Sequence, residues 1–173
     1  GRHNVHNAVA AAALALAAGL GLAEVSDGLK NFSNIKGRLN IKQGIKSATL
    51  IDDTYNANPD SMKAAIDVLA AMPAPRIFVM GDMGELGEDE AAAMHAEVGA
   101  YARDKGIEAA YFVGDNSVEA AETFGAEGLW FADKDPLIQV LSHDLPERAT
   151  VLVKGSRFMK MEEVVEALAA TTA

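Results

Sequence analysis

The stretch that decides the fold is residues 76–87, Arg-Ile-Phe-Val-Met-Gly-Asp-Met-Gly-Glu-Leu-Gly. A strand is predicted over residues 76–80, because a continuous apolar run of this kind is typical of a parallel strand covered on both faces. A polar, glycine-rich loop follows, and a long helix is then predicted over residues 88–105, ended by Gly106. Strand, polar loop and helix in this order are the repeating unit of a parallel α/β sheet.

The alternation of strand and helix continues on both sides of this stretch. Further strands are predicted over residues 109–113, 129–131 and 150–154, and helices over residues 59–71, 117–124, 134–145 and 158–170. Upstream, residues 39–43 and 48–52 are typical of a hairpin with Gly44 between its strands. Asn58 precedes a proline, which predicts it as a helix cap. The pattern therefore predicts a doubly wound α/β domain with a mostly parallel sheet and flanking helices.

The first 36 residues have a different, alanine-rich character. They predict two helices, over residues 4–19 with Asn4 as the cap and over residues 22–30, with Gly19 and Gly21 as the stop between them. The sequence opens without a methionine or a targeting segment. We therefore expect a piece of a longer protein, in which residues 1–36 belong to a neighbouring domain and residues 37–173 form the α/β domain.

Charge and composition narrow the classes of function. The 173 residues carry a formal net charge of −10, which argues against nucleic acid and against an anionic membrane surface as partners. The absence of cysteine excludes disulfides, thiolate nucleophiles and cysteine-ligated metals, and it fits the reducing cytoplasm that we expect as the location. A phosphate-bearing ligand would have to be held by a few local cations and backbone N–H groups.

Polar loops are predicted at the carboxyl ends of four strands, where an open parallel sheet binds its ligands. These loops are residues 52–59, 81–87, 114–116 and 154–157. Lys154 and Arg157, near a predicted helix N-terminus, could hold a carboxylate or a phosphate. Ordinary capping and turn chemistry explains the acidic and amide residues of these loops equally well.

No self-contained nucleotide or metal site is evident. The sequence has neither a Gly-x-x-x-x-Gly-Lys-Ser/Thr phosphate loop nor a Gly-x-Gly-x-x-Gly turn after a strand. His3 and His6 are three residues apart with no third ligand nearby, so no metal site is predicted. His95 and His143 fall on predicted helices and are expected to be solvated surface residues.

Five motifs occur in order along the whole chain. They are residues 1–8 (Gly-Arg-His-Asn-Val-His-Asn-Ala), 37–38 (Gly-Arg), 52–59 (Asp-Asp-Thr-Tyr-Asn-Ala-Asn-Pro), 81–87 as quoted above, and 153–157 (Val-Lys-Gly-Ser-Arg). In order and spacing they resemble the carboxyl-terminal part of the Mur ligases, in particular those that add D-alanyl-D-alanine to UDP-N-acetylmuramoyl-tripeptide. The resemblance implies a Rossmann-like acceptor domain over residues 37–173, preceded by the last helices of a central ATPase domain over residues 1–36.

The resemblance also implies a reaction and its participants. The family uses ATP and Mg²⁺ to convert the terminal carboxylate of the tripeptide into an acyl phosphate, which the amine of D-alanyl-D-alanine attacks. The product is the pentapeptide precursor of peptidoglycan. The phosphate loop, most Mg²⁺ ligands and the UDP-sugar domain would lie in the remaining domains of the full-length ligase, so this chain is expected to be inactive by itself.

Individual residues take roles from the same resemblance. His3, Asn4 and Asn7 match the segment against the adenine, Asp53 the acid on the ribose hydroxyls and Tyr55 a neighbour of the nucleoside. Arg38 matches the hinge arginine that reaches toward the terminal phosphate and is the one catalytic residue expected here. The side where the dipeptide would sit is lined by Asp82, Glu85, Lys154, Ser156 and Arg157.

Two alternatives remain open at this point. The chain could be a stand-alone α/β binding module for a small anionic ligand or nucleotide, whose likeness to the ligases reflects shared ancestry only. Its first helices could instead form a docking surface for a partner protein. An upstream reading frame that continues through a phosphate loop would favour the ligase fragment over both.

Overall fold

The computed structural model describes residues 2–31 and 36–170, without the side chains at positions 2, 3, 4, 6, 88 and 89. The chain divides into two compact units, Gly1–Asn34 and Ile35–Ala173. No helix among the described residues is long and apolar enough to cross a bilayer.

The first unit contains the helices α1 (Arg2–Ala17) and α2 (Leu22–Lys30). The stop at Gly19 is confirmed: its φ is +94°, and Gly19 N–H and Leu20 N–H donate to the carbonyls of Leu16 and Ala15. This is the hydrogen-bond pattern of a glycine-terminated helix. The prediction of Asn4 as a cap is wrong, because the helix already begins at Arg2 and no proline or glycine separates these residues from the alanine-rich run.

The second unit is built on one sheet. Its strands are β1 (Asn40–Gln43), β2 (Thr49–Asp53), β3 (Arg76–Gly81), β4 (Ala109–Val113), β5 (Gly128–Phe131) and β6 (Thr150–Lys154). Within the described residues the strand order is β1-β2-β6-β3-β4-β5, with β1 antiparallel to β2 and the other neighbours parallel. The predicted hairpin and the mostly parallel, Rossmann-like sheet are therefore confirmed.

Helices cover both faces of this sheet. They are α3 (Pro59–Ala70), α4 (Glu88–Asp104), α5 (Ser117–Phe124), α6 (Lys134–Asp144) and α7 (Glu162–Leu168). Side chains alternate along the buried strands, so that Phe78 packs with α3, α4 and α5 while the next residue, Val79, packs with α6 and α7. This two-faced burial explains why the central strands are continuous apolar runs in the sequence.

Helix boundaries depart from the prediction at the last helix. We expect it over residues 158–170, but the structure has a 3-10 turn over Arg157–Met159 and begins α7 at Glu162. Lys160 between them is left-handed, with φ 49°, and the Lys134 ammonium donates to the carbonyl of Met159 at 2.8 Å. These contacts end the first turn before an α-helix forms, so Arg157 does not stand at an α-helix N-terminus.

The cap of α3 agrees with the prediction. Asn58 Oδ1 accepts the Ser61 N–H at 2.8 Å, and Ser61 Oγ accepts the Asn58 N–H at 3.1 Å. This reciprocal pair satisfies two of the free N–H groups at the helix start. It fixes the end of the loop that follows β2, where several of the predicted site residues lie.

Candidate functional site

Four loops meet at the edge of the sheet where β2, β6, β3 and β4 end, which we call the carboxyl edge. Ser156 is the residue through which three of them join. Its N–H donates to the Asp82 carbonyl at 3.0 Å, its Oγ accepts the Gly84 N–H at 2.7 Å, and the same hydroxyl lies 3.4 Å from the Ala57 carbonyl. The convergence of loops expected from the parallel topology is therefore confirmed, with a serine that is only 4% exposed at its centre.

Asp82 joins the fourth loop to the others. Its Oδ1 accepts hydrogen bonds from Ser117 N–H at 2.8 Å and Ser117 Oγ at 2.6 Å, and its Oδ2 accepts the Asn116 N–H at 3.1 Å. The carboxylate thus neutralises the N-terminus of α5. Gly114, with φ +117°, makes this approach possible, because a Cβ there would lie 2.4 Å from Asp82 Cγ. The structure places Asp82 inside the protein, 5% exposed, as a link between loops.

Asp53 and Lys154 form an ion pair across neighbouring strands. They are register partners of β2 and β6, and Lys154 Nζ lies 2.6 Å from Asp53 Oδ2. The ammonium also donates to the carbonyl of Asn56 at 2.8 Å. Only 4% of the Lys154 side chain and 14% of the Asp53 side chain are exposed. Two residues expected on different sides of a ligand site are therefore bound to each other.

Arg38 stands between two residues that are tied to the loop after β2. Gly37 carbonyl accepts the Tyr55 N–H at 2.9 Å, and the Leu39 N–H donates to Asp53 Oδ1 at 3.1 Å. Gly37 and Leu39 both have left-handed backbones, with φ of 75° and 48°. The guanidinium itself is exposed and stacks on the Tyr55 ring, 4.6 Å from the centroid. Arg38, Asp53 and Tyr55 are thus brought together.

Arg157 and Glu85 are the exposed members of the predicted acceptor side. Arg157 leaves 63% of its side chain exposed and pairs with Glu162 Oε1 at 2.8 Å. Glu85 is exposed in the loop after β3, with a left-handed φ of 59°. Phe158, 64% exposed, lies over Gly84, where a Cβ would come 2.8 Å from the ring. This side therefore combines an exposed guanidinium that is paired with Glu162, an exposed carboxylate and an aromatic surface.

Sequence reasoning missed the role of His95, and its prediction as a solvated residue is wrong. The side chain is fully buried on α4, its Nδ1 donates to the Ala91 carbonyl at 2.7 Å, and its Nε2 accepts the Met83 N–H at 2.9 Å. Nε2 also lies 3.7 Å from Asp82 Oδ1, but as an acceptor it carries no proton, so this contact is not an ion pair. His95 holds the loop after β3 in place. His143, by contrast, is exposed as predicted.

A second lysine–aspartate pair at the carboxyl edge was also missed. Lys42 Nζ lies 2.8 Å from Oδ2 of Asp52, which is fully buried and accepts the Thr54 hydroxyl on its other oxygen. Asp52 and Asp53 are consecutive in a strand and therefore face opposite sides of the sheet. At most one of the two carboxylates can therefore face a given ligand.

The segment that is expected to lie against the adenine belongs to the other unit. Helix α1 contains His3, Asn4 and Asn7, and Asn7 is exposed. The side chains of His3 and Asn4 lie outside the described part of the structure, so their predicted role stays a prediction. Among the described residues, no group of three His, Asp or Glu side chains could hold a metal ion.

Nearly the whole chain matches known proteins. A family model described as the Mur ligase, glutamate ligase domain, matches residues 37–157. A UDP-N-acetylmuramoyl-tripeptide–D-alanyl-D-alanine ligase from Escherichia coli (strain K12) is 47% identical over 170 residues, which are 97% of this chain and 37% of that protein. The chain thus spans little more than a third of the length of the relatives that it matches.

Solved structures of similar proteins also superpose on this chain. A crystal structure of MurF from Acinetobacter baumannii superposes with a TM-score of 0.83 at 38% identity, covering 96% of this chain and 37% of the other. MurF ligase from Thermotoga maritima in complex with ADP superposes with a TM-score of 0.67 at 26% identity, covering 79% of this chain and 31% of the other.

Proposed function

Because the chain belongs to the Mur ligase family through its glutamate ligase domain, we propose that it is the carboxyl-terminal part of an ATP-dependent ligase that adds D-alanyl-D-alanine to UDP-N-acetylmuramoyl-tripeptide. The product is the pentapeptide precursor of peptidoglycan, made in the cytoplasm where ATP is available. The observation that carries the proposal is the meeting of four polar loops at the carboxyl edge, with two exposed guanidinium groups, Arg38 and Arg157, in the segments beside it.

The proposed reaction has two steps, a phosphoryl transfer followed by formation of the amide bond. The terminal carboxylate of the tripeptide attacks the γ-phosphorus of ATP, which gives an acyl phosphate and ADP. The amine of D-alanyl-D-alanine then attacks the acyl carbon. The tetrahedral intermediate loses a proton and expels phosphate as the amide bond forms.

Arg38, Tyr55 and Asp53 would serve the nucleotide side. The backbone of Arg38 is held between Gly37 and Leu39, and its guanidinium stacks on the Tyr55 ring. This cation would offset charge that develops on the terminal phosphate. The exposed Tyr55 ring would contact the nucleoside, and Asp53 would accept from the ribose hydroxyls through lone pairs beyond those used by Leu39 and Lys154. His3, Asn4 and Asn7 would contact the adenine.

Ser156, Arg157 and Glu85 would serve the acceptor side. D-alanyl-D-alanine carries a carboxylate and an ammonium group, so it needs a cation and an acceptor. Arg157 offers the exposed cation in the loop after β6, and Glu85 an exposed carboxylate in the loop after β3. Asp82 and Lys154, which are buried, would shape this side from within the protein.

Among the described residues, no group of three His, Asp or Glu side chains could hold a metal ion without further ligands. In this proposal the Mg²⁺ ligands lie mostly in the remaining domains of the ligase. The sequence also lacks a phosphate loop. The 173-residue chain with ATP, UDP-tripeptide and D-alanyl-D-alanine should therefore release phosphate only at the background rate; turnover at the rate of a complete ligase would contradict this.

Separate NMR titrations of the 173-residue chain test the two sides. ATP should shift amide signals around Arg38, Asp53 and Tyr55, whereas D-alanyl-D-alanine should shift those around Glu85, Ser156 and Arg157. L-Alanyl-L-alanine is the matched control, because it has the same charges and the opposite stereochemistry. Equal responses to both dipeptides, or dipeptide shifts that map outside these loops, would count against the proposal.

A further inference from the structure

The Lys154 ammonium is engaged within the protein. It lies 2.6 Å from Asp53 Oδ2 and donates to the Asn56 carbonyl at 2.8 Å, with only 4% of its side chain exposed. Because it is paired with a carboxylate, it presents no uncompensated charge to a ligand. The third N–H of the ammonium has almost no exposed surface through which a substrate carboxylate could reach it. Moving the ammonium out to a ligand would leave Asp53 as an unpaired, largely buried charge, which is strongly unfavourable.

The other oxygen of Asp53 holds the segment that carries Arg38. Oδ1 accepts the Leu39 N–H at 3.1 Å, directly after Arg38 in the chain, where the backbone is left-handed with φ 48°. A leucine adopts this conformation only where the surroundings hold it there. Two hydrogen-bonded contacts therefore connect Lys154 on β6 to the backbone beside the Arg38 guanidinium.

We propose that Lys154 is a positioning residue, which acts through Asp53 on the Arg38 segment, and that it does not bind the dipeptide carboxylate. This rests on the proposed function, because it takes Arg38 as the residue that meets the terminal phosphate. The dipeptide carboxylate is then bound by Arg157, whose guanidinium is exposed. Lys154 is the last residue of β6, and Ser156 and Arg157 lie in the loop that follows it, so this arrangement also joins the nucleotide side to the loop that would hold the acceptor.

The chain offers a matched control for the loss of a lysine–aspartate pair. Lys42 pairs with Asp52 at 2.8 Å at the same edge of the sheet but on its opposite face, and Asp52 has no hydrogen bond to Leu39. Lys42→Met therefore removes an ion pair from a buried carboxylate, as Lys154→Met does, without touching the proposed connection.

The kinetic test uses the Escherichia coli ligase with its matching segment replaced by this chain. Lys154→Met should raise the KM for ATP or lower kcat about tenfold, while the KM for D-alanyl-D-alanine changes less than about twofold. Asp53→Asn should give the same pattern, and the double variant should be no worse than either single one. Arg157→Met should raise the KM for the dipeptide instead, and Lys42→Met should change neither KM. A Lys154→Met effect confined to the dipeptide KM would overturn the proposal.

A spectroscopic test on the 173-residue chain does not depend on ligation. Lys154→Met and Asp53→Asn should both shift the Leu39 amide signal, whereas Lys42→Met should leave it in place. If Lys154→Met does not fold, Asp53→Asn, which keeps the shape of the side chain, decides the question. An unchanged Leu39 amide in a folded variant would overturn the positioning role, while an inactive wild-type chimera with the expected Leu39 shifts would count against the proposed function only.

Discussion

Replacing Asp82 by alanine should destabilise the α/β domain strongly, although this residue was expected to contact substrate. The change removes the carboxylate that accepts from Asn116 N–H, Ser117 N–H and Ser117 Oγ at the start of α5. Hydrogen bonds to a charged group contribute about 1.5–3 kcal/mol each, and loss of a helix cap costs about 0.5–2 kcal/mol, but these terms overlap. We expect a loss of about 3 kcal/mol in the free energy of unfolding, since three donors lose their partner at a buried helix end.

Trp130 provides the assay. It is the only tryptophan in the sequence, and its Nε1–H donates to the Gly114 carbonyl at 2.8 Å, close to the Asp82 contact. Urea unfolding followed by its fluorescence reports on the domain that contains Asp82. For a chain of this size, about 3 kcal/mol corresponds to a decrease of roughly 6–12 °C in the thermal midpoint.

Asp115→Ala is the matched control for Asp82→Ala. Asp115 is exposed in the same loop as Asn116, so removing its charge should change the free energy of unfolding by less than about 0.5 kcal/mol. If Asp82→Ala lay within about 1 kcal/mol of this control, the capping role drawn from the structure would be refuted.

Two further predictions concern groups away from the proposed ligands. The Arg76 guanidinium, hydrogen bonded to Glu108, lowers the pKa of Glu108 below its ordinary 4.5, so this pair stabilises the fold above that pH and its contribution is lost as the pH falls through the lowered pKa. Because 41% of the Glu108 side chain is exposed, Glu108→Gln should cost about 1 kcal/mol or less at pH 7. In urea titrations the difference in the free energy of unfolding from wild type should narrow as the pH falls below 4.5, and a difference that is constant with pH would contradict the assignment. His95→Phe leaves the Met83 N–H without an acceptor and should cost about 1–3 kcal/mol in the same unfolding assay. His95→Gln supplies an amide oxygen and should recover part of that loss, so equal stability of the two variants would argue against the contact.

The main features of the sheet domain could be predicted from local sequence. Apolar runs such as residues 77–80 and 151–153 mark strands covered on both faces, and Gly19 and Asn58 mark helix ends by their own chemistry. The burial of His95 could also have been predicted. Ala91, His95, Val98 and Ala102 recur at helical spacing and are all buried, so the face of α4 could have placed the histidine in the core.

The contacts that decide the role of each site residue were not predictable in this way. Asp53 and Lys154 are 101 residues apart in sequence, and Gly84 and Ser156 are 72 apart, so strand order must be known before their partners can be named. The left-handed backbone of Leu39 is imposed by the loop that it contacts, since leucine has no preference for it. The late start of α7 likewise depends on a distant lysine, Lys134.

Ligation by the chimera tests the central proposal most directly. The Escherichia coli ligase whose matching segment is replaced by this chain should convert UDP-tripeptide and D-alanyl-D-alanine into the pentapeptide product, detected by mass spectrometry, with one phosphate released per product. Omitting ATP or the dipeptide should abolish product, and L-alanyl-L-alanine should not replace the D-dipeptide. A folded chimera that forms no pentapeptide, or one that accepts both dipeptides equally, would contradict the assignment of this chain as the acceptor part of such a ligase.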